Sequence, residues 1–140
     1  MAASPYDFAV AYRVYPRVSR TPPVFRDNKF KLAELCARSF KNSLGSLRPK
    51  IWLLLDACPP EYERMFRSLF PAEDMVILNL TGEGNLPTFV RQIQILSEQT
   101  DSELIYFAED DYYYLPGQFP RLVDFLRANL DADFVTPYDH

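Results

Sequence analysis

Three consecutive carboxylates, Glu109-Asp110-Asp111, form the group of side chains in this sequence that is best suited to bind a metal ion. They follow the apolar stretch 103–108 (ELIYFA), a pattern that predicts a buried strand. Neighbouring carboxylates repel one another unless a cation or a raised pKa relieves the repulsion. Mg²⁺ and Mn²⁺ take oxygen ligands, often one or two protein carboxylates completed by water and substrate phosphates. The triplet therefore predicts a metal site for a phosphorylated ligand; an acidic turn into solvent is the alternative.

The predicted secondary structure around this triplet alternates between strands and helices. Strands are predicted over residues 7–15, 51–55, 75–80, 103–108 and 133–136, where apolar residues alternate or run continuously. Helices are predicted over residues 27–45, 60–70, 86–99 and 119–130, where apolar residues recur at spacings of three and four. In the third helix this spacing predicts that the side chains of Phe89, Val90, Ile93 and Leu96 point inward.

This order predicts an α/β fold with a mainly parallel sheet flanked by helices. Ligands in such folds bind outside the carboxyl ends of the strands, where the triplet is expected to lie. The 140 residues, 48% of them apolar, are enough for one domain over residues 1–140.

Charge and cysteine content exclude several classes of protein. The net charge of −4 lacks the basic footprint of non-specific nucleic-acid binding, so no nucleic-acid partner is expected. Cys36 and Cys58 are the only cysteines, which is too few for a disulfide scaffold or a complete zinc site. We identify neither a signal peptide nor an apolar run of about 20 residues, and therefore expect no transmembrane segment and a cytoplasmic location.

Residues 105–116 (IYFAEDDYYYLP) resemble the metal-binding segment of GT-A-fold nucleotide-sugar glycosyltransferases. In that family an apolar strand ends in a D-x-D-type motif, of which E-D-D is a known form. Pro116 and the stretch 118–122 (QFPRL) are similar to the proline and the helix that follow. The resemblance implies the family's Rossmann-like nucleotide-binding half and a metal-dependent enzyme. Such an enzyme uses Mn²⁺ or Mg²⁺ to transfer a sugar from a UDP- or GDP-linked donor to a glycan or other acceptor.

The resemblance also implies roles for individual residues. Asp111 would ligate the metal that bridges the donor diphosphate. Asp110 would approach the ribose or the metal's water shell, and Glu109 would hold the ribose or the loop. Nucleotide contacts are implied for residues at the ends of the first two strands and after the third: Tyr12, Arg13, Tyr15, Asp56, Gly84, Asn85 and Arg91.

Several of these residues have a structural alternative. Asp56 could cap the turn before Pro59, and Arg91 could be a solvated or ion-paired surface residue. The tyrosines at 112–114 could line the sugar site, because aromatic faces pack on sugars, or they could be half-buried loop residues.

The sequence assigns no catalytic base. Family members usually continue beyond the fifth strand into an acceptor-binding region, which supplies the base in inverting enzymes. Asp139 and His140 are the only base candidates near the end of this chain, and a frayed terminal histidine is the alternative. The chain is therefore expected to be a donor-binding half that lacks the acceptor region.

Two other functions remain open at this point. The first is a non-catalytic, Mg²⁺-binding α/β signalling module similar to a receiver domain. Receivers carry acidic residues at the first strand, whereas this chain has Tyr12 and Arg13 there. The second is a nucleotidyltransferase, which usually carries a basic, glycine-rich phosphate loop near the first strand; we find none.

Overall fold

The computed structural model describes residues 3–18 and 20–137, which form an α/β fold. In chain order its elements are β1 (Phe8–Val14), α1 (Lys29–Ser43), β2 (Pro49–Asp56), α2 (Pro60–Leu69), β3 (Met75–Leu80), α3 (Asn85–Glu98), β4 (Ile105–Glu109) and α4 (Gln118–Ala128). A single turn of 3-10 helix, Ala72–Asp74, precedes β3. None of the described helices is long and apolar enough to cross a membrane.

The four strands form one parallel sheet in the order β3-β2-β1-β4, which confirms the predicted parallel α/β architecture. β1 lies inside the sheet, between β2 and β4. In this register Arg13 on β1 stands opposite Glu109 on β4. Because parallel strands point the same way, the carboxyl ends of β1, β2 and β4 meet at one edge of the sheet.

One face of the sheet carries the main core. Alternate β1 side chains point to this face, as the strand's period of two requires, and pack against α1, α2 and α4. Tyr12 lies at its centre, with its ring edge-on to Phe40 at 5.5 Å and to Phe66 at 5.1 Å between centroids. The opposite face packs on α3 through the small residues Ala9 and Ala11.

The predicted orientation of α3 is wrong except at Leu96, which is buried. Phe89, Val90 and Ile93 are 42%, 52% and 45% exposed. Thr88 and Gln92 face the sheet instead. Gln92 Nε2 donates hydrogen bonds to the carbonyls of Ala11, at 3.0 Å, and Ala108, at 3.3 Å. These bonds to two adjacent strands turn a polar stripe of the helix inward.

The predicted fifth strand over residues 133–136 is also wrong, because this segment has no strand pairing. Phe134 is 85% exposed, so the segment does not bury the alternate side chains that stabilise a strand. The Pro137 carbonyl accepts a hydrogen bond from Gln118 Nε2 on α4 rather than from a neighbouring strand. α4 ends before Leu130, which is 92% exposed and does not extend the helix's apolar face.

Candidate functional site

A cleft of about 920 Å³ opens at the carboxyl ends of the strands, and we call it the strand-end cleft. Its walls come from the ends of β1 and β4, the loop before α1, and the first turns of α1 and α3. Its charged lining residues are Arg13, Arg17, Arg20, Lys29, Asp56, Glu109, Asp110 and Asp111. This is where α/β folds bind ligands, and the three predicted carboxylates lie together there.

Glu109, the first carboxylate of the triplet, is bound by Arg13. The guanidinium donates from Nε to Oε2 at 2.9 Å and from Nη2 to Oε1 at 2.7 Å. Arg13 Nη1 also donates to the Asn85 carbonyl at 2.6 Å and to Thr88 Oγ1 at 3.2 Å. Burial raises the pKa of Glu109, and Arg13 opposes that rise. Arg13 thus joins β1, β4 and the start of α3, and both oxygens of Glu109 are engaged.

Asp110, the second carboxylate, is bound by Lys29 and by the backbone. Its Oδ2 lies 2.9 Å from the Lys29 ammonium and accepts a 2.8 Å hydrogen bond from the Tyr15 amide. The Lys29 ammonium also donates to the Arg17 carbonyl at 3.2 Å. Burial raises the pKa of Asp110, and Lys29 opposes that rise. Asp110 and Lys29 therefore tie the loop after β1 to the end of β4.

Asp111, the third carboxylate, is exposed and lines the strand-end cleft. It makes no hydrogen bond or ion pair with the part of the chain that the structure describes. Its two oxygens are thus open to a ligand, unlike those of Glu109. The acidic run accordingly divides into two carboxylates neutralised by the protein's own cations and one that faces the cleft.

Asp56 shapes the loop between β3 and α3. Its Oδ1 accepts hydrogen bonds from the amides of Gly82 and Glu83, both at 2.8 Å, and its Oδ2 accepts one from the Gly84 amide at 2.9 Å. The side chain is only 2% exposed, although it contributes to the cleft wall. The predicted alternative, a cap on the turn before Pro59, is not what the structure contains. Asp56 instead fixes the residues that lead into Asn85.

Most of the predicted site residues line the cleft together: Arg13, Tyr15, Asp56, Gly84, Asn85, Glu109, Asp110 and Asp111. Tyr12 does not line it, because its side chain is fully buried in the core. The Tyr12 hydroxyl has no hydrogen-bond partner among the described residues. Arg91 does not line it either, and pairs with Glu83 on the surface. Asp139 and His140 lie outside the described residues.

The three consecutive tyrosines have different environments. Tyr113 is 59% exposed and lines the strand-end cleft. Tyr114 is 1% exposed, and its hydroxyl is 3.1 Å from that of Tyr106. Tyr112 is half-buried and also contributes to the cleft wall. Tyr15, 41% exposed, adds a second accessible aromatic ring.

Sequence reasoning missed Lys29, Thr88 and the loop arginines Arg17 and Arg20. Lys29 follows Asn28, whose side chain caps α1 by accepting a hydrogen bond from the Lys31 amide at 3.0 Å. A capping residue after a strand and loop places the first helical turn near the carboxyl edge of a parallel sheet. That signal would have placed Lys29 beside the carboxylates.

A divalent ion bound in the strand-end cleft would have few protein ligands. Within residues 3–18 and 20–137, no group of three or more His, Cys, Asp or Glu side chains is arranged to hold a metal. Among the described residues that line the cleft, Asp111 is the one whose carboxylate has no hydrogen bond or ion pair. Mg²⁺ commonly binds through one or two carboxylates plus substrate phosphates and water, which is compatible with such a site.

Comparison with known families and curated proteins identifies no function for the strand-end cleft. No model of a known protein family matches the chain, and no curated protein matches it. The functional proposal therefore rests on the residues of the strand-end cleft.

Proposed function

We propose that this chain is the donor-binding domain of a metal-dependent glycosyltransferase and binds a UDP- or GDP-linked sugar in the strand-end cleft. The observation that carries the proposal is that two carboxylates of the acidic triplet are ion-paired and the third is not. Arg13 neutralises Glu109, and Lys29 neutralises Asp110, whereas Asp111 is left exposed toward the cleft.

Asp111 is the residue that would hold Mn²⁺ or Mg²⁺, together with the donor's phosphates and water. When bound, the ion supplies Lewis-acid stabilisation of the charge that develops on the leaving diphosphate. Asp110 lies next in the chain, and its Oδ2 is committed to Lys29 and the Tyr15 amide. A site with one free protein carboxylate is expected to bind the metal and the diphosphate together rather than the metal alone.

The other cleft residues suit the organic part of such a donor. Tyr15 and Tyr113 offer exposed rings on which a base or a sugar can pack. Asp56 and Arg13 hold the loop at 82–84 and the first turn of α3, so that Asn85 is fixed at the cleft wall. The volume of about 920 Å³ is within the range of sites for drug-sized ligands.

Calorimetric titration with UDP and GDP, each with Mn²⁺ and then with EDTA, tests this function. We expect one nucleotide to bind in the presence of the metal and to lose its affinity when EDTA removes it. The matching nucleotide sugars would then define the donor class. Absence of binding by a protein with native circular dichroism would contradict the proposal. Mg²⁺ binding with no dependence on nucleotide would favour the signalling module instead.

A further inference from the structure

Lys29 is a buried cation fixed at two points in the strand-end cleft. Its ammonium lies 2.9 Å from Asp110 Oδ2 and donates to the Arg17 carbonyl at 3.2 Å. Its side chain is 10% exposed, and it remains one of the residues that line the cleft. An ammonium group has three N–H donors, so these two contacts leave one for a ligand.

A diphosphate bound at this edge of the sheet needs charged hydrogen-bond donors in addition to a divalent ion. The diphosphate of a nucleotide sugar carries two negative charges. A divalent ion bound by Asp111 offsets only one of them, because the carboxylate itself consumes one of the ion's two charges. Asp110 balances the charge of Lys29, so the lysine adds no net charge, but its ammonium supplies a charged N–H donor beside the proposed metal site.

Lys29 is better prepared for this role than the loop arginines of the cleft, Arg17 and Arg20. Arg17 and Arg20 are exposed residues of the loop before α1, so ordering their side chains on a ligand costs conformational entropy. Lys29 lies in the first turn of α1, and its ammonium is already held by Asp110. Because the Lys29 ammonium is already held in place, it loses less conformational entropy than an exposed arginine side chain when a phosphate oxygen binds.

We infer that Lys29 is a phosphate-binding residue that contacts the diphosphate of the donor beside the metal site of Asp111. This inference rests on the proposed function and extends it by assigning the diphosphate a protein cation in addition to the metal. Lys29 keeps its contact with Asp110 and directs its remaining N–H toward a phosphate oxygen.

The test compares Asp110→Asn with the double variant Lys29→Met/Asp110→Asn, because the second removes the cation without leaving an unpaired buried carboxylate. The probes are the nucleoside diphosphate that the wild type binds with Mn²⁺, and the corresponding nucleoside. We expect the double variant to bind the diphosphate about tenfold or more weakly than Asp110→Asn, as loss of a charged hydrogen bond predicts. Affinity for the nucleoside should be equal in the two variants.

Lys29→Gln in the otherwise natural chain gives a second comparison, since glutamine keeps a donor for Asp110 but removes the charge. It too should weaken binding of the diphosphate and not of the nucleoside. Equal diphosphate affinity with and without Lys29 would overturn the inference, as would an equal loss for nucleoside and diphosphate, which indicates a purely structural lysine. Failure of the wild type to bind any nucleoside diphosphate would refute the proposed function and this inference together.

Discussion

Arg13 and Glu109 form a bidentate ion pair that joins the carboxyl end of β1 to that of β4, with N–O distances of 2.9 and 2.7 Å. The two residues stand opposite each other in the parallel register, so the pair follows from the strand alignment. It engages the first carboxylate of the triplet in holding the sheet edge together. Asp110 is paired with Lys29, so Asp111 is the member of the triplet that makes no ion pair with residues 3–18 and 20–137.

Breaking this pair on one side is expected to destabilise the protein. Arg13→Met leaves Glu109 largely buried without its cation, which typically costs about 3–5 kcal/mol. Adding Glu109→Gln removes the uncompensated charge and should restore part of the loss. Urea denaturation at pH 7 measures both free energies of unfolding. A double variant as unstable as Arg13→Met would contradict this assignment of the pair.

Removal of the Asp56 carboxylate should destabilise the loop between β3 and α3. Asp56→Ala deletes the acceptor of three backbone amides, and we expect the free energy of unfolding to fall by about 2–4 kcal/mol. Amide hydrogen exchange at Gly82, Glu83 and Gly84 should accelerate. Asp124→Ala, an exposed change on α4, is the matched control. Equal stabilities of the two variants would show that the three hydrogen bonds contribute nothing.

The two cysteines should make the protein less stable at alkaline pH. Burial raises the pKa of Cys36 and of Cys58 from 9 to about 12. The unfolded thiols therefore lose their protons first, and the stability present below pH 9 falls as the pH rises from 9 toward 12. Denaturation curves across this range measure the slope, which should be flatter in Cys36→Ala/Cys58→Ala. An unchanged slope would contradict these pKa shifts.

The nucleotide-free protein is expected to bind Mn²⁺ weakly. Asp111 is a single exposed carboxylate, and most ligands of the ion would come from the diphosphate and water. Titration of Mn²⁺ alone should not saturate at concentrations at which it saturates with a bound nucleoside diphosphate. Tight stoichiometric binding of Mn²⁺ without nucleotide would instead indicate a site made of several protein ligands.

The sequence predicts the fold well where apolar periodicity decides it. The apolar residues of β2 from Ile51 to Leu55, except the half-buried Trp52, are buried as their pattern indicates, and so is the stripe of α2 from Tyr62 to Phe70. The triplet lies at the end of β4 as expected, but the predicted burial of this strand is wrong, because β4 is an edge strand and Ile105 is 47% exposed. In β2 and α2 the local apolar pattern coincides with the face that the tertiary packing covers.

The orientation of α3 and the contacts within the candidate site depend on hydrogen bonds between residues far apart in the chain. The orientation of α3 is determined by Gln92, which reaches the carbonyls of two strands that are known only once the sheet has formed. The partners of Asp56 are backbone amides 26 to 28 residues later, and no side-chain pattern marks them. Lys29 and Asp110 likewise meet only because α1 starts beside the end of β4.

We propose that Asp111 is the carboxylate through which a divalent ion holds a nucleotide diphosphate. The most direct test of this proposal is calorimetric titration of UDP and GDP with Mn²⁺ into the wild type, Asp111→Asn and the exposed control Asp124→Asn. We predict metal-dependent binding by the wild type and by Asp124→Asn. Asp111→Asn should lose that binding while it keeps the native circular dichroism and thermal stability. Equal affinity in Asp111→Asn and the wild type would contradict the claim.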